Sequence, residues 1–324
     1  MRKVVILTTG GTIASLKDES GFMRPGALSG EELLKLADIR LDIDLIVESV
    51  FQLPSPQISW KNLLELKTRI EEIYENDDVN GVVVTCGTST LEEVAYFLDL
   101  TIENKRPVVV TGAQRGPNLL GSDSIVNLRQ AILVANSRNS HDLGCLVVFN
   151  EKIFMARHVK KIHSYNVNGF GSYGYGYLGI VDRDDVLYYV KPVRREVYSL
   201  KREIPLIYMV KCGLDTDGEF IRCAIENKAE GIIVEGAGRG QVATKVAEAV
   251  TEAIEAGVVV VLTTSCDEGV VYPVYNYTGS ETDLKNRGVV IGGSYESKKA
   301  RVKLAVLLSA GIKDTAEIQK LFSD

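Results

Sequence analysis

No apolar run in this 324-residue chain approaches the roughly 18 to 20 residues that a membrane-spanning helix needs. The run Val4–Leu7 follows a basic start, but it is too short for a signal-peptide core and leads into a Gly-Gly turn, so it reads as a first strand. Cysteine is sparse: Cys86, Cys145, Cys212, Cys223 and Cys266 are odd in number, scattered and free of CxxC spacing. Neither a disulfide framework nor a zinc site is indicated, and a reducing cytoplasm is the expected compartment. Basic charge is also short, with 37 Lys and Arg against 43 Asp and Glu. At a net charge of −6 there is no basic field to recruit nucleic acid or an anionic membrane surface. His158 and His163 belong to no Ser-His-Asp arrangement of identifiable spacing, and neither of the common Gly-rich nucleotide fingerprints occurs.

What is present is an ordinary globular composition, 45% hydrophobic and 25% charged, at a length that favours two domains. Short β-branched runs recur at Lys3–Thr8, Gly81–Thr85, Pro107–Thr111, Gly144–Phe149, Leu206–Val210, Gly231–Glu235 and Val258–Thr263. Helical patterns lie between most of them, at Glu31–Ala37, Trp60–Tyr74, Thr90–Leu98, Ser124–Asn136, Glu219–Asn227, Gln241–Ala256 and Lys298–Ser309. Continuous apolar strands alternating with amphipathic helices predict a doubly wound α/β architecture with a mostly parallel sheet. The alternation breaks between about Asn150 and Pro205, where NGFGSYGYGYLG reads as an ordered loop and VKPVRREVYSLKREIP as a connection. The expected organisation is a larger N-terminal α/β domain at 1–190, a linker at 191–205 and a smaller α/β domain at 206–324.

Ligands of open parallel sheets bind beyond the carboxyl ends of the strands, which directs attention to the turns Thr9–Ser15, Pro54–Ser59, Cys86–Thr90, Gly112–Asp123 and Glu235–Gly240. In TTGGTIAS, Gly10 and Gly11 permit a tight turn with Thr12 near its mouth. In TCGTSTLEE, the spacings Ser89 to Glu92 and Thr90 to Glu93 are capping signals, and Asp123 stands where an N-cap is expected. Lys161, one of two adjacent lysines in ARHVKKIHS, reads by itself as a solvated charge.

The combination says more than its parts. TTGGTIAS, LPSPQIS, VVVTCGTSTLEE, VVVTGAQR, ARHVKKIH, EGAGRGQV and the late KKARVKLAVLL resemble, in order and over nearly the whole chain, the bacterial-type L-asparaginase/glutaminase family. That resemblance implies an amidohydrolase in which Thr12 attacks a side-chain amide carbon and an acyl-enzyme forms. It implies a second threonine, Thr88, linked to Lys161, whose amine accepts a proton only when burial lowers its pKa. Backbone N–H groups of turn glycines, Gly11 and Gly87 among them, would hold the oxyanion. Ser55 would bind an α-carboxylate, Ser89 would stand at the α-ammonium position, and the Ala113 backbone would face the scissile amide. Gln241, from a neighbouring subunit, would complete the site in a homodimer or homotetramer. No metal or organic cofactor is implied, and the partner is a small-molecule amide.

Two departures bear on substrate and rate. The family's second motif reads HGTDT, where this chain has CGTST, so Ser89 stands where a carboxylate would hold the lysine relay and pair with an α-ammonium group. Phe22 stands where a loop tyrosine helps to activate the first threonine. Cys86 reads as a small packed residue in place of the usual histidine. The expected reaction is hydrolysis of L-asparagine or of a related amide lacking a free α-ammonium. A related acyl- or proton-transfer enzyme and a non-catalytic binding homologue stay open as alternatives.

Overall fold

The computed structural model describes residues 3–17, 23–24, 31–32 and 43–323. Phe22 and most of the expected Glu31–Ala37 helix lie outside these residues. The chain divides into two compact units, Met1–Val197 and Tyr198–Asp324.

The first unit runs β1 (Lys3–Thr8), β2 (Asp44–Ser49), α1 (Trp60–Tyr74), β3 (Val79–Thr85), α2 (Leu91–Thr101), β4 (Val108–Thr111), α3 (Ser124–Asn136), β5 (Cys145–Phe149), β6 (Lys152–Met155), β7 (Gly179–Asp182) and β8 (Asp185–Tyr188). These strands form one sheet in the order β8-β7-β6-β5-β4-β3-β1-β2, parallel from β2 to β5 and antiparallel from β6 outward. The central strands are apolar on both faces because both faces are covered: Val82, Val83, Val84, Val109 and Val110 are fully buried. Helix α3 packs Leu128, Ala131, Ile132 and Ala135 into one core with Val83 and Val109. Gly81 is required there, since a Cβ at that position would lie 2.3 Å from the Ala135 carbonyl oxygen.

Strand register sets the site. Thr8 pairs with Ser49 on one side and Thr85 on the other, and Thr85 pairs with Thr111, so four strands end at one level. The chain leaves β1 for β2 on one side and returns to β3 on the other, which makes the β1/β3 boundary the topological switch point where such sheets open a crevice.

The second unit runs β9 (Ile207–Lys211), α4 (Glu219–Glu226), β10 (Gly231–Gly236), α5 (Thr244–Glu255), β11 (Val259–Thr264), α6 (Glu281–Asn286), β12 (Val290–Ile291), α7 (Ser297–Ser309) and α8 (Thr315–Phe322). Its four strands are parallel in the order β9-β10-β11-β12. Its core gathers Ile221, Ile232, Val246, Val250, Val260 and Leu262.

Candidate active site

The turn after β1 places Gly10 and Gly11 at φ +101° and +90°, a region that L side chains rarely occupy. Close approach reinforces the requirement. A Cβ on Gly11 would lie 2.4 Å from the Gly87 nitrogen, and one on Gly10 would lie 2.6 Å from the Leu53 carbonyl oxygen. The first turn is thereby pressed against both the turn after β3 and the segment following β2. Half-buried Thr12 opens a short 3-10 turn, which Ser15 closes by donating its hydroxyl to the Gly11 carbonyl at 2.8 Å.

The second and third turns interlock through hydroxyls. Ser55, nearly fully buried, accepts the Ser89 N–H at 3.2 Å, and a Cβ on Gly87 would lie 2.7 Å from its Oγ. Thr90 donates its hydroxyl to the Ser55 carbonyl at 2.9 Å. Thr90 does occupy the N-cap of α2, but without a side-chain cap bond. The capping expectation for this turn therefore gives way to a tertiary contact: the hydroxyl serves the neighbouring turn rather than its own helix. Asp123 is corrected in the same way. It stands at the N-cap of α3 without a cap bond, and its carboxylate instead accepts the N–H groups of Gln114 and Arg115 and the Asn127 side-chain amide, at 2.9 to 3.1 Å. Asp123 thus braces the turn after β4.

Lys161 is not the solvated charge that its local sequence suggests. It lies in a two-residue ribbon, Lys160–Lys161 against Phe170–Gly171, and its Nζ donates to Thr88 Oγ1 at 2.7 Å. Its backbone N–H donates to the carboxylate of Glu92, a fully buried residue in the first turn of α2. One turn-and-helix segment therefore grips Lys161 at both ends, by Thr88 and by Glu92. Gln114 adds a third strut: its Oε1 accepts the Thr88 hydroxyl at 3.3 Å and its Nε2 donates to the His163 carbonyl at 3.2 Å. Glu92 and Gln114 were not singled out from the sequence; the first was read as half of a capping box and the second lies silent inside TGAQR.

Of the residues named from sequence, Gly11, Thr12, Ser55, Gly87, Thr88, Ser89, Ala113 and Lys161 all lie at this carboxyl edge of the first sheet. Ala113 is fully buried, next to Gly112, where a Cβ would sit 2.4 Å from the Cys86 carbonyl and 3.4 Å from the Thr88 methyl. Ser89 is exposed at the mouth. Cys86 is fully buried, and burial pushes its thiol up to about 12 in spite of the lowering influence of Thr9 and Gly87, so it is a protonated packing residue. Gln241 belongs to the second unit, where it bridges back to Ala237 and lines a cavity of about 460 Å³ with Gly238, Arg239 and Tyr275. Among the described residues, no group of three or more His, Cys, Asp or Glu could hold a metal ion.

The architecture and the motifs have counterparts. Residues 3–194 match the family model "Asparaginase, N-terminal", and residues 207–322 match "Glutaminase/Asparaginase C-terminal domain". The chain is 51% identical over 316 residues to an L-asparaginase of Bacillus licheniformis, covering 97% of this chain and 98% of that one. It is 32% identical to L-asparaginase 2 of Bacillus subtilis (strain 168), covering 98% and 85%. Among solved structures it resembles that of a probable cytoplasmic L-asparaginase from Campylobacter jejuni, with a TM-score of 0.89, 28% identity and 99% of each chain covered.

Proposed function

The chain belongs to the asparaginase family of amidohydrolases, and from that premise we propose that Thr12 is the nucleophile and Thr88 with Lys161 the proton relay. The observation that carries this reading is the 2.7 Å contact of Lys161 Nζ with a buried threonine hydroxyl, on a turn pressed against the one that bears Thr12. Thr12 Oγ adds to the amide carbon and its proton passes to the Thr88–Lys161 pair. The carbonyl oxygen becomes an oxyanion held by turn N–H groups, those of Gly11 and Gly87 among them. Collapse expels ammonia with a proton returned from the relay, and water then hydrolyses the Thr12 ester by the same route. The Ala113 backbone faces the leaving nitrogen, and the Ser55 hydroxyl, whose oxygen already accepts from Ser89 N–H, keeps its own proton to donate to a substrate carboxylate. Gln241 of a second copy completes the site, so the working enzyme is a homodimer or a homotetramer, acting in the cytoplasm.

Substrate preference follows from Ser89. A neutral hydroxyl cannot pair with an α-ammonium group, and loss of such a counterion costs roughly a hundredfold in affinity. The preferred substrate is therefore an amide whose amino group is acylated or absent. Ammonia release from L-asparagine, L-glutamine, their N-acetyl forms and simple ω-amides tests this. N-acetyl-L-asparagine should exceed L-asparagine in kcat/KM, Ser89→Asp should reverse that order, and Thr12→Ala should abolish release from both. If the wild-type protein prefers free L-asparagine, the substrate assignment fails; if Thr12→Ala keeps its activity, the nucleophile does.

A further inference from the structure

Thr88 Oγ1 has one proton and two acceptor lone pairs, and two partners compete to decide where that proton points. Lys161 Nζ lies at 2.7 Å and Gln114 Oε1 at 3.3 Å. When the lysine is an ammonium it donates to Thr88, and the Thr88 proton must turn elsewhere; Gln114 Oε1 is the acceptor the fold provides. When the lysine is neutral it can instead take the Thr88 proton, and the glutamine oxygen is left without it. We infer that Gln114 is a positioning residue that sets the protonation balance of the Thr88–Lys161 pair by accepting the threonine proton in the ammonium state. This rests on the relay proposed above and adds a residue and a direction to it.

The amide cannot rotate out of this role without breaking other contacts. Its Nε2 donates to the His163 carbonyl, and its end occupies the space where a Cβ on Gly169 would fall, 2.1 Å from Nε2. Both residues flank the ribbon that carries Lys161. The backbone of Gln114 is fixed in turn by the Asp123 carboxylate. With Nε2 committed to a carbonyl, Oε1 must face the hydroxyl, which makes the side chain an acceptor there and not a donor.

Replacing the acceptor should therefore shift the acid limb of the kcat/KM profile, which reports the free enzyme's base. In Gln114→Met, nearly the same size, the ammonium state loses its proton sink and the limb moves to lower pH. The worth of one neutral hydrogen bond corresponds to a shift of about half to one pH unit. In Gln114→Glu the acceptor stays and gains a charge, so the limb moves to higher pH. The other charged or titratable groups around the pair are unchanged in both variants: Glu92 on α2, Cys86 in the turn after β3, Arg115 and Asp123 in the turn after β4, Lys160 on the ribbon and His163 beside it.

The experiment measures kcat/KM against pH for ammonia release from L-asparagine and N-acetyl-L-asparagine in wild type, Gln114→Met, Gln114→Glu and Lys161→Met. Opposite shifts in the two Gln114 variants, with KM changed less than twofold, are the expected result. Equal losses of kcat with the limb fixed in both variants overturn the role of Gln114 while leaving the relay intact. A Lys161→Met variant that keeps the wild-type limb overturns the relay itself and the inference with it. If one Gln114 variant does not fold, the sign of the shift in the other still decides.

Discussion

The two units present the same kind of edge and do different things with it. Each has a run of parallel strands that end at a common level in glycine-bearing turns, and each places a lysine and hydroxyls there. In the second unit Lys211, at the end of β9, meets Glu235 at the end of β10 at 2.9 Å, and Glu235 also accepts the Ser297 hydroxyl at 2.5 Å. In the first, Lys161 meets a threonine hydroxyl. An ammonium whose partner is a carboxylate can only donate to it, whereas a hydroxyl partner can both accept a hydrogen bond from the amine and offer it a proton. The lesson is that the architecture supplies an edge, and the two edges differ in the partner given to the lysine, a carboxylate on one and a hydroxyl on the other.

The largest effect expected from this contrast is on turnover. Lys161→Met should lower kcat by about 10²- to 10⁴-fold, the usual contribution of a positioned acid–base group. Lys211→Met removes an ion pair whose lysine is 76% exposed, should leave kcat within twofold and should cost at most about 1 kcal/mol of stability. Steady-state ammonia release from the two variants side by side makes the comparison, and equal losses would break it.

Next in size is the effect of a methyl group on each edge. Gly11→Ala would force a Cβ to within 2.4 Å of the Gly87 backbone at φ +90°, combining overpacking with a strained dihedral. A loss of about 2–5 kcal/mol is expected, together with activity. Gly238, in the turn after β10, has φ +54° and nothing within 4 Å of an added Cβ. Gly238→Ala should cost only about 1 kcal/mol, the penalty of the left-handed conformation alone. Denaturant midpoints with unchanged slope would measure both, and similar costs would mean that the first edge is no more tightly closed than the second.

The contrast also marks where the sequence could be read. Helices α1 and α3 fall on the expected bounds because their apolar spacing is undisturbed, and the buried strands fall within a residue or two because continuous valine runs have no competing reading. Strand β2 was not anticipated: Asp44 and Glu48 interrupt a short run at the sheet's edge, where only one neighbour demands apolar residues. The hairpin strands β6 to β8 were hidden by aromatics and charges in the irregular stretch. Within the site, glycine turns and threonines were legible because turn chemistry is local. The partners of Ser55, Thr90 and Gln114 lie 9 to 49 residues away in sequence, and nothing in a local window separates a capping hydroxyl from one that stitches two turns together.

The smallest expected effect concerns acid stability in the second unit. Burial would lift the Glu281 carboxyl, but the backbone N–H groups of Tyr275, Glu281 and Val274 hold it below its ordinary value. Glu230 is held down by its hydrogen bonds from Arg202 despite partial burial, and Asp283 by Gly279 N–H and Arg287 against its own burial. A carboxyl whose folded pKa is depressed binds fewer protons than in the unfolded chain, so its contribution is present above the unfolded value near 4.5 for glutamate and is lost as pH falls through the folded one. Glu281→Gln removes one such group. Below pH 4.5 the variant's stability should fall less steeply than the wild type's, by at most about 1.4 kcal/mol per pH unit, the slope of a single proton. Thermal midpoints from pH 3 to 7 would read this slope; parallel curves for wild type and variant would mean that Glu281 takes up no extra proton on unfolding, and that the carboxylates of the second edge are spectators rather than the groups that tie its turns down.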